Sequence, residues 1–174
     1  MRTITKNVYS FSELSEQAKI KAIEDHANFI GYENWWEDIY EDAENVRLKI
    51  TSFDLDRGKI DGCFKTTAML TADLILENHG KDTKTYKEAL KFCNNWDSLV
   101  EKYSDGINLN KVDEVNADDF DEEADEMEKE FLKSLLYEYL FLLRNDYEYQ
   151  TSESVIIENI EANGYEFYEN GELI

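Results

Sequence analysis

Proline is missing from all 174 residues of this chain. Average usage would supply about nine prolines, so Gly, Asn and Asp must form the turns instead. The absence also removes slow X-Pro isomerisation from the folding reaction. Because the chain also lacks internal repeats and a Gly- or Ser-rich linker, we predict one domain spanning residues 1–174.

Histidine and cysteine are scarce, with two of each. His26, His79, Cys63 and Cys93 lack the spacing of zinc ligands, so we expect no metal site and two reduced, buried thiols. The chain has no G-x-S-x-G, no Gly-rich phosphate loop and no Cys-His order. We therefore expect no enzymatic activity and no cofactor. A hydrolase that uses His79 or a carboxylate pair as its base stays an alternative.

Long apolar runs are absent as well. No stretch is long enough to cross a bilayer, and residues 1–6 lead into a polar strand without the features of a signal peptide. We therefore predict a cytoplasmic protein with no membrane-spanning segment.

Residues 54–65 carry alternating carboxylates that are typical of a calcium-binding loop. The sixth position should be Gly and is Lys59, while the twelfth should be a bidentate Glu and is Lys65. Because two cations in the loop would oppose a dication, we predict a hairpin turn at residues 56–59 instead. Weak binding of Mg²⁺ or Ca²⁺ by clustered carboxylates elsewhere stays a further alternative.

Hydrophobic periodicity predicts an α+β fold, with a small, mostly antiparallel sheet covered by about five helices. The sheet would combine an N-terminal strand, a central hairpin and a C-terminal hairpin. Residues 69–76 fit either a strand or a short helix. The predicted strands are residues 2–11, two within 47–70 and the pair within 165–174; the predicted helices are roughly 10–29, 33–46, 83–103, 118–145 and 151–163.

Acidic residues dominate what is present. Forty Asp and Glu against eighteen Lys and Arg give a formal charge of −22. Residues 24–44, 113–130 and 145–174 carry −8, −10 and −8, and the rest of the chain is close to neutral. An aromatic content of 13% favours a folded domain over a disordered acidic chain. This charge repels nucleic acid and anionic membranes, so we expect a basic protein partner.

Carboxylates four residues apart on a helix lie about 6 Å apart along its axis, which is comparable to the phosphate spacing of a nucleic-acid strand. The predicted binding surface consists of Glu33, Glu37, Asp38, Glu41, Asp42, Asp118, Asp119, Asp121, Glu122, Glu123, Asp125 and Glu126. The other interpretation is an ordinary solvated face that serves solubility. A shared binding surface requires that the fold bring the acidic segments to one side.

Several stretches resemble a family of small bacteriophage and prophage proteins. They are Phe11-Ser-Glu-Leu-Ser-Glu-Gln-Ala-Lys-Ile-Lys-Ala, Trp35-Trp-Glu-Asp-Ile-Tyr-Glu-Asp-Ala, Phe53-Asp-Leu-Asp-Arg-Gly and the C-terminal Tyr-Glu-Phe…Asn-Gly segment. The resemblance implies a phage accessory protein that acts in the bacterial cytoplasm, and it supplies no catalytic residue. In size and charge the chain is also similar to phage antirestriction and anti-CRISPR DNA mimics.

Together these features predict a non-enzymatic inhibitor that binds a basic host defence protein, such as a nuclease, and leave its oligomeric state open. The alternative is an antitoxin-like or regulatory module that binds one protein through an aromatic surface, with acidity serving only solubility.

Overall fold

The computed structural model describes residues 6–30, 34–104 and 117–174. Within those ranges the chain forms six α-helices and two antiparallel sheets of two strands each. The predicted α+β class is therefore confirmed. The elements are β1 (Tyr9–Ser10), α1 (Glu16–Ile30), α2 (Glu37–Asn45), β2 (Leu48–Asp54), β3 (Lys59–Phe64), α3 (Ala68–Asn78), α4 (Lys84–Tyr103), α5 (Ala117–Gln150), α6 (Glu153–Asn163) and β4 (Glu166–Phe167).

The strands pair as β1 with β4 and β2 with β3, so the expected sheet is divided into two. A break in the register between Ile50 and Ser52 interrupts the β2–β3 ladder. The C-terminal hairpin that we expected is reduced to a tight turn, closed by one bridge between Phe167 and Leu173.

The chain divides into two compact units. A terminal unit combines the residues up to Trp36 with those from Arg144 onward, and a central unit comprises Glu37–Leu143. The long helix α5 contributes to both. The single domain that we predicted from the sequence stays a prediction.

Side chains of α1 and α6, together with Phe11, Leu14 and Phe167, form the core of the terminal unit. The Ser10 backbone N–H donates a hydrogen bond to Glu13 Oε2 at 2.8 Å. That contact begins only a short 3₁₀ turn, and α1 begins after Ser15, whose Oγ accepts from the Ala18 N–H at 3.3 Å. The buried residues of this core are Phe11, Leu14, Ala18, Ala22, Ile30, Ile156, Ile160 and Phe167.

Helices α3, α4 and α5 and the β2–β3 hairpin enclose an aromatic and aliphatic core in the central unit. Phe92 of α4 stacks on Phe131 of α5, with ring centroids 4.4 Å apart and planes 12° apart. Leu135 and Tyr139 are fully buried on the same helix. The middle of α5 therefore lies at the centre of this core.

Local capping decides the ambiguous segment at residues 69–76 in favour of a helix. The Thr67 hydroxyl accepts a hydrogen bond from the Leu70 N–H at 3.2 Å and begins α3. Such a cap satisfies one of the free N–H groups of the first helical turn. Within the described residues, no helix has both the length and the apolarity needed to cross a membrane.

Both cysteines are free thiols, as expected. The prediction that both are buried is wrong for Cys63, because this residue of β3 points to solvent. Cys93 is half-buried on α4, and its burial, followed by the nearby Asp73 and Asp97 carboxylates, raises the pKa of its thiol.

Candidate acidic binding surface

Helix α2 carries the first group of expected site residues. Glu37, Asp38 and Glu41 are exposed, whereas Ala43 is buried on the opposite side. The helix is therefore amphipathic, as its sequence pattern indicates. Glu33 lies outside the described residues.

Asp42 has a structural partner that sets it apart from the other carboxylates of α2. The Tyr139 hydroxyl donates a hydrogen bond to Asp42 Oδ2 at 2.8 Å, and His79 Nε2 lies 3.6 Å from Asp42 Oδ1. The burial of the Tyr139 phenol, together with the Asp42 charge, raises the pKa of that phenol well above its ordinary value. Asp42 therefore links α2 to the core and is only partly available to a partner.

A chain of hydroxyl groups positions His79. Thr83 Oγ1 donates to the Gly80 carbonyl at 2.7 Å, and Thr85 Oγ1 donates to Thr83 Oγ1 at 3.3 Å. His79 Nδ1 lies 2.8 Å from Thr85 Oγ1, and the tautomer of the ring decides which of the two donates. His79 Nε2 is buried and lies 3.6 Å from Asp42 Oδ1, beyond hydrogen-bonding distance, so the ring packs beside this carboxylate without donating to it.

The first turns of α5 carry the second group of expected site residues. Phe120 faces the protein and contacts Trp96 and Tyr103, with ring centroids 6.2 and 5.7 Å apart. Ala124 is buried on the same side. All seven carboxylates that we expected here are exposed: Asp118, Asp119, Asp121, Glu122, Glu123, Asp125 and Glu126.

Glu123 differs from its neighbours because it binds α4. Lys102 Nζ lies 2.6 and 2.9 Å from the two Glu123 oxygens, and the Tyr103 hydroxyl donates to Oε1 at 2.8 Å. These hydrogen bonds lower the pKa of Glu123 and raise the pKa of Lys102. The other six carboxylates form no ion pair with a described residue. We call these six the α5 carboxylates.

The acidic groups of α2 and α5 occupy separate patches. Asp42 meets α5 at Tyr139, which follows Glu126 by 13 residues, or about 20 Å along a helix axis. The fold therefore does not join these two groups into one continuous acidic row. The third acidic segment, residues 145–174, belongs to the terminal unit.

The hairpin turn that resembles a calcium loop has the geometry of a turn. The Arg57 N–H donates to Asp54 Oδ1 at 2.9 Å, and Gly58 adopts a positive φ of 61°. The structure thus confirms the predicted hairpin. Among the described residues, no three His, Cys, Asp or Glu side chains are placed together to hold a metal ion.

A feature that we did not foresee is a groove of about 940 Å³ in the central unit. Its lining comes from the β2–β3 hairpin, α4 and the middle of α5. Tyr137 of α5 lines it with 66% of its surface exposed. A Tyr within an apolar helical segment predicts burial, so only the fold identifies this ring as accessible.

Comparison with known proteins adds no homologue to these observations. No protein-family model, curated protein or solved structure matches the chain.

Proposed function

We propose that this protein is a non-enzymatic inhibitor that binds a basic, nucleic-acid-binding surface of a host defence protein. The α5 carboxylates form the centre of the binding surface. The observation that carries this proposal is their exposure, without an ion pair to a described residue, over the first turns of one helix. A cytoplasmic phage setting follows from the resemblance to phage proteins noted in the sequence.

The geometry of a helix gives this surface a regular charge spacing. Asp118, Glu122 and Glu126 follow one another at intervals of four residues. Their backbone positions therefore repeat about every 6 Å along the helix axis. Phosphates repeat at a similar scale along a nucleic-acid strand. A protein groove that holds phosphates with Lys and Arg therefore meets comparable charges on α5.

Electrostatics also define the expected behaviour of the complex. Complementary charge accelerates encounter and aligns the two surfaces. Added salt weakens both effects, because at 0.1 M it screens exposed charges that are more than about 10 Å apart. The isolated protein should consequently compete with DNA for its partner, and the competition should weaken as the salt concentration rises.

The test begins with capture of partners from the bacterial host, followed by titration of the purified partner over a series of NaCl concentrations. One variant changes Asp118→Asn, Asp121→Asn, Glu122→Gln and Asp125→Asn. Its matched control changes four exposed carboxylates of the terminal unit to the same extent: Glu158→Gln, Glu161→Gln, Glu166→Gln and Glu169→Gln.

We expect the α5 variant to bind at least tenfold more weakly and to lose much of the salt dependence, while the control variant retains its affinity. Equal losses in both variants would mean that net charge alone drives binding. Unchanged binding by the α5 variant would contradict the proposal and favour a partner that recognises an aromatic surface.

A further inference from the structure

The groove of the central unit has the size of a small-molecule site. Its volume is about 940 Å³, within the range of about 300–1,000 Å³ that is usual for ligand pockets. Residues of three elements line it: Gly58–Asp61 of the hairpin, Glu88–Asn95 of α4 and Met127–Leu140 of α5. The site is therefore formed by the tertiary fold and not by one helix face.

Apolar groups supply much of the lining. Ile60 lies on the hairpin side, and the stacked rings of Phe92 and Phe131 support the α4 side. Tyr137 presents an aromatic ring of which most remains exposed. Since an aromatic face stacks favourably against another flat ring, the groove is suited to a planar apolar group.

Lysine side chains converge on the same groove from all three elements. Lys59 comes from β3, Lys91 from α4, and Lys129 and Lys133 from α5. Lys91 Nζ lies 3.9 Å from Glu88, but the other three lysines form no ion pair with a described residue. Such a grouping stands out in a chain with 40 acidic residues.

Four carboxylates also line the groove, and three of them have a partner among the described residues. Glu88 faces Lys91 and Glu138 lies 3.9 Å from Lys84, while Asp61 accepts a hydrogen bond from the Ser52 hydroxyl at 3.2 Å. Glu130 is the fourth lining carboxylate and is exposed. Lys59, Lys129 and Lys133 are thus the groove residues best able to bind an anionic group of a ligand.

We propose that this groove binds a small aromatic anion. The ring system of the ligand lies against Tyr137 and Ile60, and its carboxylate, phosphate or sulfonate is held by Lys129 and Lys133. These two lysines are four residues apart on α5, or about 6 Å along the axis, so both ammonium groups reach one anionic group. Charge-assisted hydrogen bonds of this kind are stronger than neutral ones.

Two fluorescent probes with the same ring system test the proposal on the intact chain. The anion 8-anilinonaphthalene-1-sulfonate carries a sulfonate, and N-phenyl-1-naphthylamine lacks it. We expect the anion to bind saturably at one site. In the Lys129→Gln, Lys133→Gln variant its affinity falls about tenfold, whereas the neutral probe binds as before.

The matched control is Lys49→Gln with Lys81→Gln, which removes two exposed lysines outside the groove. Circular dichroism of each variant checks that it is folded. Equal affinity of the anion for both double variants would overturn the proposal, as would binding that does not saturate. A Tyr137→Ser variant should weaken both probes, and its failure to do so would also contradict the ring site.

Displacement of the bound anion identifies the source of the acidic group. Displacement by anthranilate supports an aryl carboxylate, and displacement by adenosine monophosphate supports a nucleotide. Displacement by neither would contradict a site for aromatic anions of these classes. Lys129 and Lys133 lie outside the surface that the α5 carboxylates form. Their loss should therefore not weaken binding of the protein partner proposed above.

Discussion

Tyr139 and Asp42 are 97 residues apart in the chain, yet the Tyr139 hydroxyl donates a hydrogen bond of 2.8 Å to Asp42 Oδ2. Tyr139 is fully buried, whereas half of the Asp42 side chain is exposed. The contact therefore satisfies the single polar atom at the tip of a core ring by using a carboxylate at the surface. It ties α2 to α5 at one defined position.

We predict that Tyr139→Phe lowers the free energy of unfolding by about 1.5–3 kcal/mol, the usual cost of losing a hydrogen bond to a charged group. The ring keeps its packing, and Asp42 stays hydrated. Asp42→Ala should cost at least as much, because it leaves the buried hydroxyl without its acceptor. Urea denaturation of both variants and the double variant measures the coupling energy.

A second double-mutant cycle, with Asp42→Asn in place of Asp42→Ala, supplies the control, since the amide oxygen still accepts a hydrogen bond. We expect a smaller loss for this variant than for Asp42→Ala. If the two single losses simply add in the double variant, the hydrogen bond does not stabilise the fold and the prediction is wrong.

Glu123 and Glu128 of α5 should have opposite effects on the dependence of stability on pH. Hydrogen bonds from Lys102 and Tyr103 lower the pKa of Glu123. The stability it contributes is therefore present above the ordinary Glu pKa and is lost as the pH falls through its lowered pKa. Burial, followed by the Asp125 charge, raises the pKa of Glu128. Its ionised form consequently destabilises the fold as the pH rises through that raised pKa.

Glu123→Gln should thus be less stable than the parent at pH 7, and Glu128→Gln more stable. Both differences should shrink as the pH is lowered past the ordinary pKa of glutamate, about 4.3. Thermal unfolding between pH 3 and 7 measures them. Parallel curves for the two variants would contradict the opposite environments of these carboxylates.

Gly171 is expected to be essential for the terminal unit. Its φ is 82°, and an added Cβ would lie 2.1 Å from the Ala18 carbonyl oxygen. Gly171→Ala should therefore destabilise the protein by roughly 3 kcal/mol or more, through both strain and collision. Gly80→Ala is the matched control, because its new Cβ would meet Thr83 Cγ2 at an ordinary 3.8 Å. Similar urea midpoints for the two variants would refute the prediction.

Added salt should stabilise this protein. A charge of −22 repels itself in the compact state, and 0.5 M NaCl screens that repulsion. We expect the melting temperature to rise by several degrees between 0.02 and 0.5 M NaCl, and to rise less in the variant that neutralises four of the α5 carboxylates. A fall in melting temperature would show that favourable ion pairs outweigh the repulsion.

Local patterns were sufficient to predict most helices of this fold but not the pairing of its strands. The apolar spacing of α5 depends on neighbours in sequence. The pairing of β1 with β4 joins opposite ends of the chain, and no local signal reports it.

The candidate site shows a similar division. Composition and spacing were sufficient to find the carboxylates of α2 and α5, but they made those carboxylates appear equivalent. Asp42 and Glu123 differ from the rest only because Tyr139 and Lys102 reach them from distant parts of the sequence. Distinguishing structural from available carboxylates required the tertiary contacts.

The composition of the α5 surface determines how a complex must be mapped. Between Asp118 and Glu126 the chain offers carboxylates and no lysine, so amine-reactive cross-linkers cannot label that stretch. Carbodiimide coupling, which joins a carboxylate directly to a lysine of the other protein, has no spacer and reports only touching groups. Trypsin likewise finds no cleavage site between Lys111 and Lys129, and each cross-link there would be recovered on one long peptide.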